Sequence, residues 1–428
     1  MSKIAVIGTG YVGLTTGACF AHVGHEVVCA DVDVDKVARL SRGEIPILEA
    51  GLDNLVREGI DGGRLKFVLG AATAAADCEF AYLCVPTPQA PDGSADLSYI
   101  ESAAREIGPV LPSEAIVVNK STVPVGSTLV VERALGRSDV AVVSNPEFLR
   151  EGSAIHDFLH PDRIVIGAED QSAAVRVSSL YLGITAPVIV TDPASAETIK
   201  YAANAFLATK ISFINAVAAV CEAVGADIKD VALGMGYDSR IGHEFLRPGP
   251  GFGGSCFPKD TRAMVHIAES AGYSFGLLEG AITVNAEQFE RVTDKIVAMA
   301  GGSVDGKRIG AWGLTFKART DDLRESPSLH VLSRLRARGA VLRAYDPAVQ
   351  ASPGGLDGAE GVEVVDDPYA AVEGAEVLVV LTEWDEFRWL DLDKVAGLMR
   401  HLRVVDARNL LDKAALERRG FVSTGIGR

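Results

Sequence analysis

The first thirty-one residues narrow the choice of fold more than any other stretch. Lys3–Ile7 is a short apolar run that leads straight into Gly8-Thr9-Gly10-Tyr11-Val12-Gly13. Small residues through Ala21 read as a helix, Gly24 ends it, and Glu26–Ala30 forms the next strand, finishing at Asp31. This is a G-x-G-x-x-G turn in its required strand–turn–helix setting, with an acid about 20 residues on. The glycines permit a tight turn and close approach of a pyrophosphate, and the helix N-terminus offers N–H groups and positive potential. A carboxylate at Asp31 would bond both ribose hydroxyls and repel a 2′-phosphate, which favours NAD over NADP, with FAD the main competitor. Gly8, Gly10, Tyr11, Val12, Gly13 and Asp31 are therefore the first cofactor candidates.

Strand and helix keep alternating. Phe80–Val85 reads as a strand ending in Pro86-Thr87-Pro88, and Ala115–Asn119 as another, ending in Lys120-Ser121-Thr122-Val123-Pro124. Val140–Ser144 ends in Asn145-Pro146-Glu147-Phe148-Leu149-Arg150-Glu151. Ligands of open α/β sheets gather outside the carboxyl ends of the strands, so Thr87, Thr122, Glu147 and Glu151 are site candidates rather than ordinary turn residues. A second α/β unit follows Gly301–Gly306, which reads as a linker. Its parts are a strand at Lys307–Leu314, a helix at Ser326–Arg338 stopped by Gly339, a strand at Val341–Tyr345 before Asp346, and a strand at Ala375–Leu381. It echoes the N-terminal order, but its first loop, Thr315–Pro327, lacks the dinucleotide glycines and is rich in charge, which suits a polar ligand rather than a second NAD site.

The expected fold class is α/β: two Rossmann-like parallel-sheet domains joined by a long central helix and a helical middle domain. The expected boundaries are 1–193, 194–300 and 301–428. A chain of 428 residues exceeds one ordinary core, which agrees with several domains. Lys+Arg 41 against Asp+Glu 57 gives a net charge of −16. Nucleic acid and anionic membrane both demand a cationic face and are poor partners. The N-terminus reaches glycine too soon for a signal peptide, and no uninterrupted apolar stretch approaches the roughly 18 residues that cross a bilayer. Six dispersed cysteines lack metal-ligand spacing, so free thiols in a reducing cytoplasm, and no metal site, are expected.

The middle of the chain carries the chemistry. Asp192-Pro193 starts a helix expected from Ala194 to Val224, apolar on nearly every face through Ile199, Phe206, Leu207, Ile211, Ile214, Val217 and Val220. Such a helix must be buried, between domains or against a second subunit, and a homodimer is expected. Lys200 and Asn204 share one of its faces, which points to a polar cavity. Further on, Gly249-Pro250-Gly251-Phe252-Gly253-Gly254 runs into Ser255-Cys256-Phe257-Pro258-Lys259-Asp260. Pro258 favours a helix start, which would set the Cys256 sulfur beside a positive helix end where thiolate is favoured. Lys259 adds a positive charge and Asp260 an acid/base group; the bland alternative is a surface loop before an inert buried cysteine. Further helices are expected from Pro258 to about Ala271 and over Ala281–Met299.

Together these pieces resemble the UDP-glucose/GDP-mannose dehydrogenase family. The matches are Gly8–Gly13, Ser121–Gly126, Asn145–Gly152, Lys200 through Asn215, Gly251–Asp260 and Thr320–Pro327, which cover all three segments in order. Asp238-Ser239-Arg240-Ile241-Gly242 and Cys256–Asp260 look like the branch acting on UDP-glucose; the UDP-N-acetylmannosamine branch typically has His where Ser255 stands. Ala216, where many members carry Glu, and Arg319 depart from the pattern. The resemblance implies oxidation of UDP-glucose at its C6 alcohol to a carboxylate, with two NAD⁺ and one water. Cys256 would be the nucleophile, Lys200 and Asn204 the oxyanion donors, Glu147 and Thr122 the residues that position water, and Asp260 a support for base chemistry. It assigns the sugar nucleotide to Glu147, Phe148, Leu149, Arg150, Glu151, Lys200, Asn204, Phe245, Leu246, Arg247, Pro248, Gly249, Gly253 and Lys317. It assigns NAD to Val12, Asp31, Lys36, Thr87, Thr122, Glu151, Lys259 and Arg324.

Three other readings use some of the same parts. GDP-mannose dehydrogenase chemistry uses all of them. A single-step 3-hydroxy-acid or 6-phosphogluconate-type dehydrogenase shares the first domain and helical middle, but needs no cysteine and lacks the second α/β unit. A catalytically silent NAD sensor would not need Cys256, Lys200, Asn204 and Asp260.

Overall fold

The computed structural model describes residues 1–90, 94–352, 355–356 and 358–428. They form two compact units, Met1–Ala203 with Arg262–Tyr273, and Asn204–Thr261 with Ser274–Arg428. The first unit holds β1 (Lys3–Ile7), β2 (Glu26–Asp31), β3 (Leu65–Leu69), β4 (Phe80–Leu83), β5 (Ile116–Asn119), β6 (Ala141–Ser144), β7 (Ile164–Gly167) and β8 (Val188–Thr191). Their order in the sheet is β3-β2-β1-β4-β5-β6-β7-β8, parallel except where β6 meets β7. The near-continuous apolar strands follow from burial on both sheet faces. Ile4 and Val6 enter one core with Phe20 and Tyr82, while Ala5 and Ile7 enter the other with Ile100 and Val117.

Register decides where the loops emerge. Ile7 pairs with Ala30 and Leu83, Leu83 with Asn119, and Asn119 with Ser144. The loops after β1, β2, β4, β5 and β6 therefore leave along one edge of the sheet, on both sides of the point where strand order reverses. That edge is where such sheets bind ligands.

The second unit repeats the plan. It contains β9 (Arg308–Trp312), β10 (Val341–Tyr345), the small antiparallel pair β11 (Gly355–Leu356) and β12 (Ala359–Glu360), β13 (Val362–Val364), β14 (Val377–Val380), β15 (Arg403–Asp406) and β16 (Val422–Gly425). The main sheet runs β13-β10-β9-β14-β15-β16, parallel throughout. The echo reaches the loops: buried Asp346, just past β10, accepts from the Leu314 and Thr315 amides at 2.7 and 3.0 Å. Asp31 at the end of β2 accepts from the Thr9 amide at 3.0 Å in the same way.

β1 and β10 keep their expected limits, whereas β4, β5, β6, β9 and β14 fall one or two residues inside theirs, where ladder bonds give way to loops. The helix expected at Ala281–Met299 begins earlier, at Gly276. Gly276 and Gly280 both lie within this helix, and a side chain at either would meet nothing within 4 Å. Gly301–Gly306, expected as a linker, lies inside the second unit as a turn, with the Gly306 amide bonded to Gly339 O at 2.9 Å.

The central helix is Pro193–Val224, closed by Gly225 at φ +76°. It is less buried than its apolar sequence demands: Ile214 is inside, but Phe206 is 65% and Phe213 52% exposed. Ala202, Phe206, Phe213, Val220 and Val224 form one exposed stripe at coiled-coil spacing. By length and hydropathy this helix could also cross a bilayer. Its polar residues Glu197, Lys200, Asn204, Ser212 and Asn215 are all buried within the folded units.

Candidate functional site

In the first unit the three glycines of the opening turn do three different jobs. Gly8 sits at φ +96°, and a Cβ there would lie 2.7 Å from Cys84 O. A Cβ on Gly13 would lie 1.9 Å from Gly8 O, so this glycine lets helix and strand pack. Gly10 faces open space, with nothing within 4 Å of a Cβ, which leaves the backbone accessible to a bound group. Asp31, Lys36 and Thr9 come together beside it, Lys36 Nζ lying 2.8 Å from Asp31 Oδ2. Burial alone would raise the Asp31 carboxyl, but bonds from Lys36, Thr9 and Asp33 outweigh it and hold it down to about 2. Asp31 is thus a fixed acceptor at any working pH. Val12 is half-buried beside this turn. Tyr11 joins buried Glu49, which also accepts from the Gly152 and Ala154 amides at 2.7 and 2.9 Å. Thr87 Oγ1 donates to Thr122 O at 2.9 Å, which ties the loops after β4 and β5.

The loop after β6 holds an enclosed ion pair. Glu147 is buried, with Lys200 Nζ at 2.9 Å on Oε1 and the Leu149 amide at 2.6 Å on Oε2. Burial would push this carboxyl up, but the charge and bond of Lys200, the Leu149 amide and the charge of Lys120 hold it below its ordinary value. It is an anion, tied at both oxygens. The Phe148 ring lies 3.6 Å under the Arg163 guanidinium and 5.4 Å from Lys200 Nζ. Arg150 pairs with Asp157 at 2.6 Å, and Glu151 is half-buried. Three residues before Lys200, buried Glu197 accepts from the Gly126 amide at 2.7 Å and from Thr128 N and Oγ1 at 3.1 and 2.9 Å. The start of the central helix thereby anchors both the Thr122 and the Glu147 loops.

In the second unit Cys256 immediately precedes the helix Phe257–Ser270 and accepts its first backbone bond, from the Asp260 amide at 2.8 Å. Cys256 is half-exposed; the other five cysteines are buried, and burial pushes Cys19, Cys78 and Cys84 up to about 12. Asp260, one turn on, is fully buried and accepts from Asn204 Nδ2 at 2.6 Å and Lys259 Nζ at 2.7 Å. Asn204 and Lys200 stand four apart on the continuous central helix, on the shared face expected.

The glycine loop is shaped by its own chain. A Cβ on Gly253 would lie 2.0 Å from Glu325 O, one on Gly254 2.8 Å from the Phe316 ring, and one on Gly251 2.6 Å from Phe289. The Gly254 amide donates to Arg324 O at 3.1 Å, so the glycine loop and the charged loop after β9 are packed together. Three buried amides pin the loop backbone: Asn215 accepts from Gly249 N at 2.9 Å, Gln288 donates to Gly249 O at 2.8 Å, and Asn285 bonds both N and O of Phe252 at 2.7 and 3.0 Å. Phe245, Arg319 and Glu325 adopt φ of +63°, +67° and +49°, and strain of this kind gathers at ligand sites. Leu246 and Gly249 are buried, Pro248 and Lys317 half-buried, and Arg247 exposed. Arg324 is exposed and pairs with Asp322 at 2.7 Å.

Sequence reading missed Asn285 and Gln288, whose signal was two amides one turn apart in an otherwise ordinary helix. It also gave no role to Glu49, Lys120, Arg163 or Glu197.

Residues 2–185 match the NAD binding domain of the UDP-glucose/GDP-mannose dehydrogenase family, residues 194–287 its central domain, and residues 310–413 its UDP binding domain. The whole chain aligns at 47% identity with UDP-glucose 6-dehydrogenase TuaD of Bacillus subtilis (strain 168), over 94% of that protein. It aligns at 46% identity with UDP-glucose 6-dehydrogenase of Rhizobium meliloti (strain 1021), over 99% of that protein. A solved UDP-glucose dehydrogenase from the hyperthermophilic archaeon Pyrobaculum islandicum matches with TM-score 0.91 at 40% identity, over 100% of this chain and 98% of that one. The open Gly10 backbone and the fixed Asp31 acceptor fit NAD as the cofactor. With all three of its domains present in order, the chain belongs to the UDP-glucose/GDP-mannose dehydrogenase family.

Proposed function

We propose that this protein is a UDP-glucose 6-dehydrogenase that carries the C6 alcohol through to the carboxylate on Cys256. The observation that carries the reading is Cys256 itself, the half-exposed thiol at a helix N-terminus, one turn from an Asp260 already bonded to Asn204 and Lys259. NAD supplies the hydride acceptor for both oxidations. The first oxidation removes a proton from the C6 hydroxyl and a hydride from its carbon, leaving an aldehyde. An aldehyde gives up a second hydride only after a nucleophile makes its carbon tetrahedral. The Cys256 thiolate forms a C–S bond to that carbon, giving a thiohemiacetal, and loss of the second hydride leaves a thioester. Water attacks the thioester carbon, the C–S bond breaks, and the uronate leaves as the thiolate returns.

Lys200 and Asn204 stabilise the oxygen as it gains charge, which needs fixed donors in a dry site. Asp260 holds Asn204 in place and supports proton transfer, and Glu147 and Thr122 orient the water. The remaining assignments follow the residues already named for NAD (Val12, Asp31, Lys36, Thr87, Thr122, Glu151, Lys259, Arg324) and for the sugar nucleotide. The exposed stripe on the central helix is read as a homodimer contact, the protein as cytoplasmic, and 1–193, 194–300 and 301–428 as its functional segments.

Consumption of UDP-glucose should yield two NADH per sugar nucleotide. One NADH with released aldehyde would overturn the covalent reading. Faster initial rates with GDP-mannose than with UDP-glucose would transfer the protein to the other branch.

A further inference from the structure

Lys120 lies directly after β5, outside every role described so far, with 5% of its surface exposed. Its ammonium touches only neutral atoms, Asn145 Oδ1 at 3.3 Å and Tyr181 OH at 3.4 Å. Among the described residues no carboxylate is in ion-pair contact with it. Tyr181 OH donates to Asn145 Oδ1 at 2.6 Å, and Asn145 Nδ2 to Val165 O at 2.8 Å, so the contact is a built one. A buried ammonium without a counter-ion is costly and calls for an explanation. Glu147 stands two residues beyond Asn145, and its carboxyl feels the charge of Lys120.

Charge balance gives this a purpose. Lys200 paired with Glu147 at 2.9 Å is neutral as a pair, and a neutral pair is a weak stabiliser of a developing oxyanion. The groups facing Glu147 are Lys200 from the central helix, Lys120 after β5, Cys84 after β4 and Arg163 before β7. Cys84 is held neutral by burial, and Arg163 is half-exposed, with its guanidinium stacked 3.6 Å over the Phe148 ring. Among the described residues neither Lys120 nor Arg163 has a carboxylate in ion-pair contact, and Lys120 is the more buried of the two, so its charge is the less screened by solvent. We propose that Lys120 is a positioning residue: it holds the Asn145–Glu147 turn and supplies the surplus positive charge that lets Lys200 act on the substrate oxyanion while paired with Glu147. The part concerning the oxyanion rests on the proposed dehydrogenase reaction; the hold on Glu147 does not.

The first experiment needs no turnover. Protein labelled with ¹³C at the glutamate carboxyls is titrated by NMR, with the Glu147 signal identified by its loss in Glu147→Gln. In Lys120→Met the Glu147 midpoint should rise by about one pH unit, as expected on removing a nearby opposite charge. In Lys120→Arg it should stay at the wild-type value. An unmoved midpoint in Lys120→Met, or equal shifts in both variants, overturns the proposal and makes Lys120 a strut only. Lys120→Gln replaces Lys120→Met, with the same expectations, if the latter does not fold. The second experiment is turnover with UDP-glucose: kcat in Lys120→Met should fall about tenfold, the acid limb of its pH profile should move up, and KM should stay within about twofold. An unchanged kcat removes the role toward Lys200. A wild-type enzyme inactive on UDP-glucose would fail the reaction itself and leave the titration to decide the hold on Glu147.

Discussion

Six cysteines are present, and exposure sorts them: five are buried, while Cys256 is half-exposed at a helix N-terminus. On the proposed reading, environment selects the reactive thiol. Cys256→Ser should lower steady-state NADH production by at least about a thousandfold, while UDP-glucose binding, read by calorimetry, stays within about threefold. Full activity in that variant would remove the covalent mechanism. Asp31 makes the converse point, since bonds from Thr9, Lys36 and Asp33 fix its orientation. A ribose therefore meets an oriented acceptor. The residue types at both places were readable from the chain. Thr9 as a neighbour was not, because it reaches Asp31 only through the parallel pairing of β1 with β2, whereas Lys36 reaches it from five residues along the chain.

At the level of elements, the glycine loop is a case where a right residue type had an additional cause. Its glycines read as room for a ligand, yet Gly251, Gly253 and Gly254 are required by Phe289, Glu325 and Phe316 of the same unit. Gly253→Ala should therefore destabilise the protein by about 2 kcal/mol or more, because the new Cβ meets backbone that cannot yield. Gly280→Ala, in an exposed helix position with open space around it, should stabilise by about 0.5–1 kcal/mol. Thermal midpoints of the two variants, moving in opposite directions, check the pair; a neutral Gly253→Ala would mean the loops can part. The three amides that pin this loop come from two helices far from it in sequence, so spacing along the chain held no trace of them.

For the whole molecule, the central helix carries the open question. Its inner face is committed to the fold, with Glu197 and Lys200 each bonded to a strand-end loop and Asn215 to the glycine loop. Its outer stripe is apolar and exposed, with Phe206 and Phe213 one heptad apart. Phe206→Glu combined with Phe213→Glu should convert the proposed dimer to a monomer in sedimentation velocity, with far-ultraviolet circular dichroism unchanged. A wild-type monomer at working concentration would refute the dimer outright.

The sequence by itself determined the two parallel sheets, because a glycine turn between strand and helix admits few alternatives and continuous apolar strands must be covered on both faces. It also determined which residues could carry chemistry, since Cys256, Lys200, Asn204 and Asp260 are placed by local helix geometry at spacings of four. Only the tertiary structure decided what those residues meet. Glu147 became a tied anion, Lys120 a buried cation, and the glycines a fitted seam, because each depends on strand register and on partners dozens of residues away. Contacts of that range arise from packing, and no local pattern along the chain encodes them.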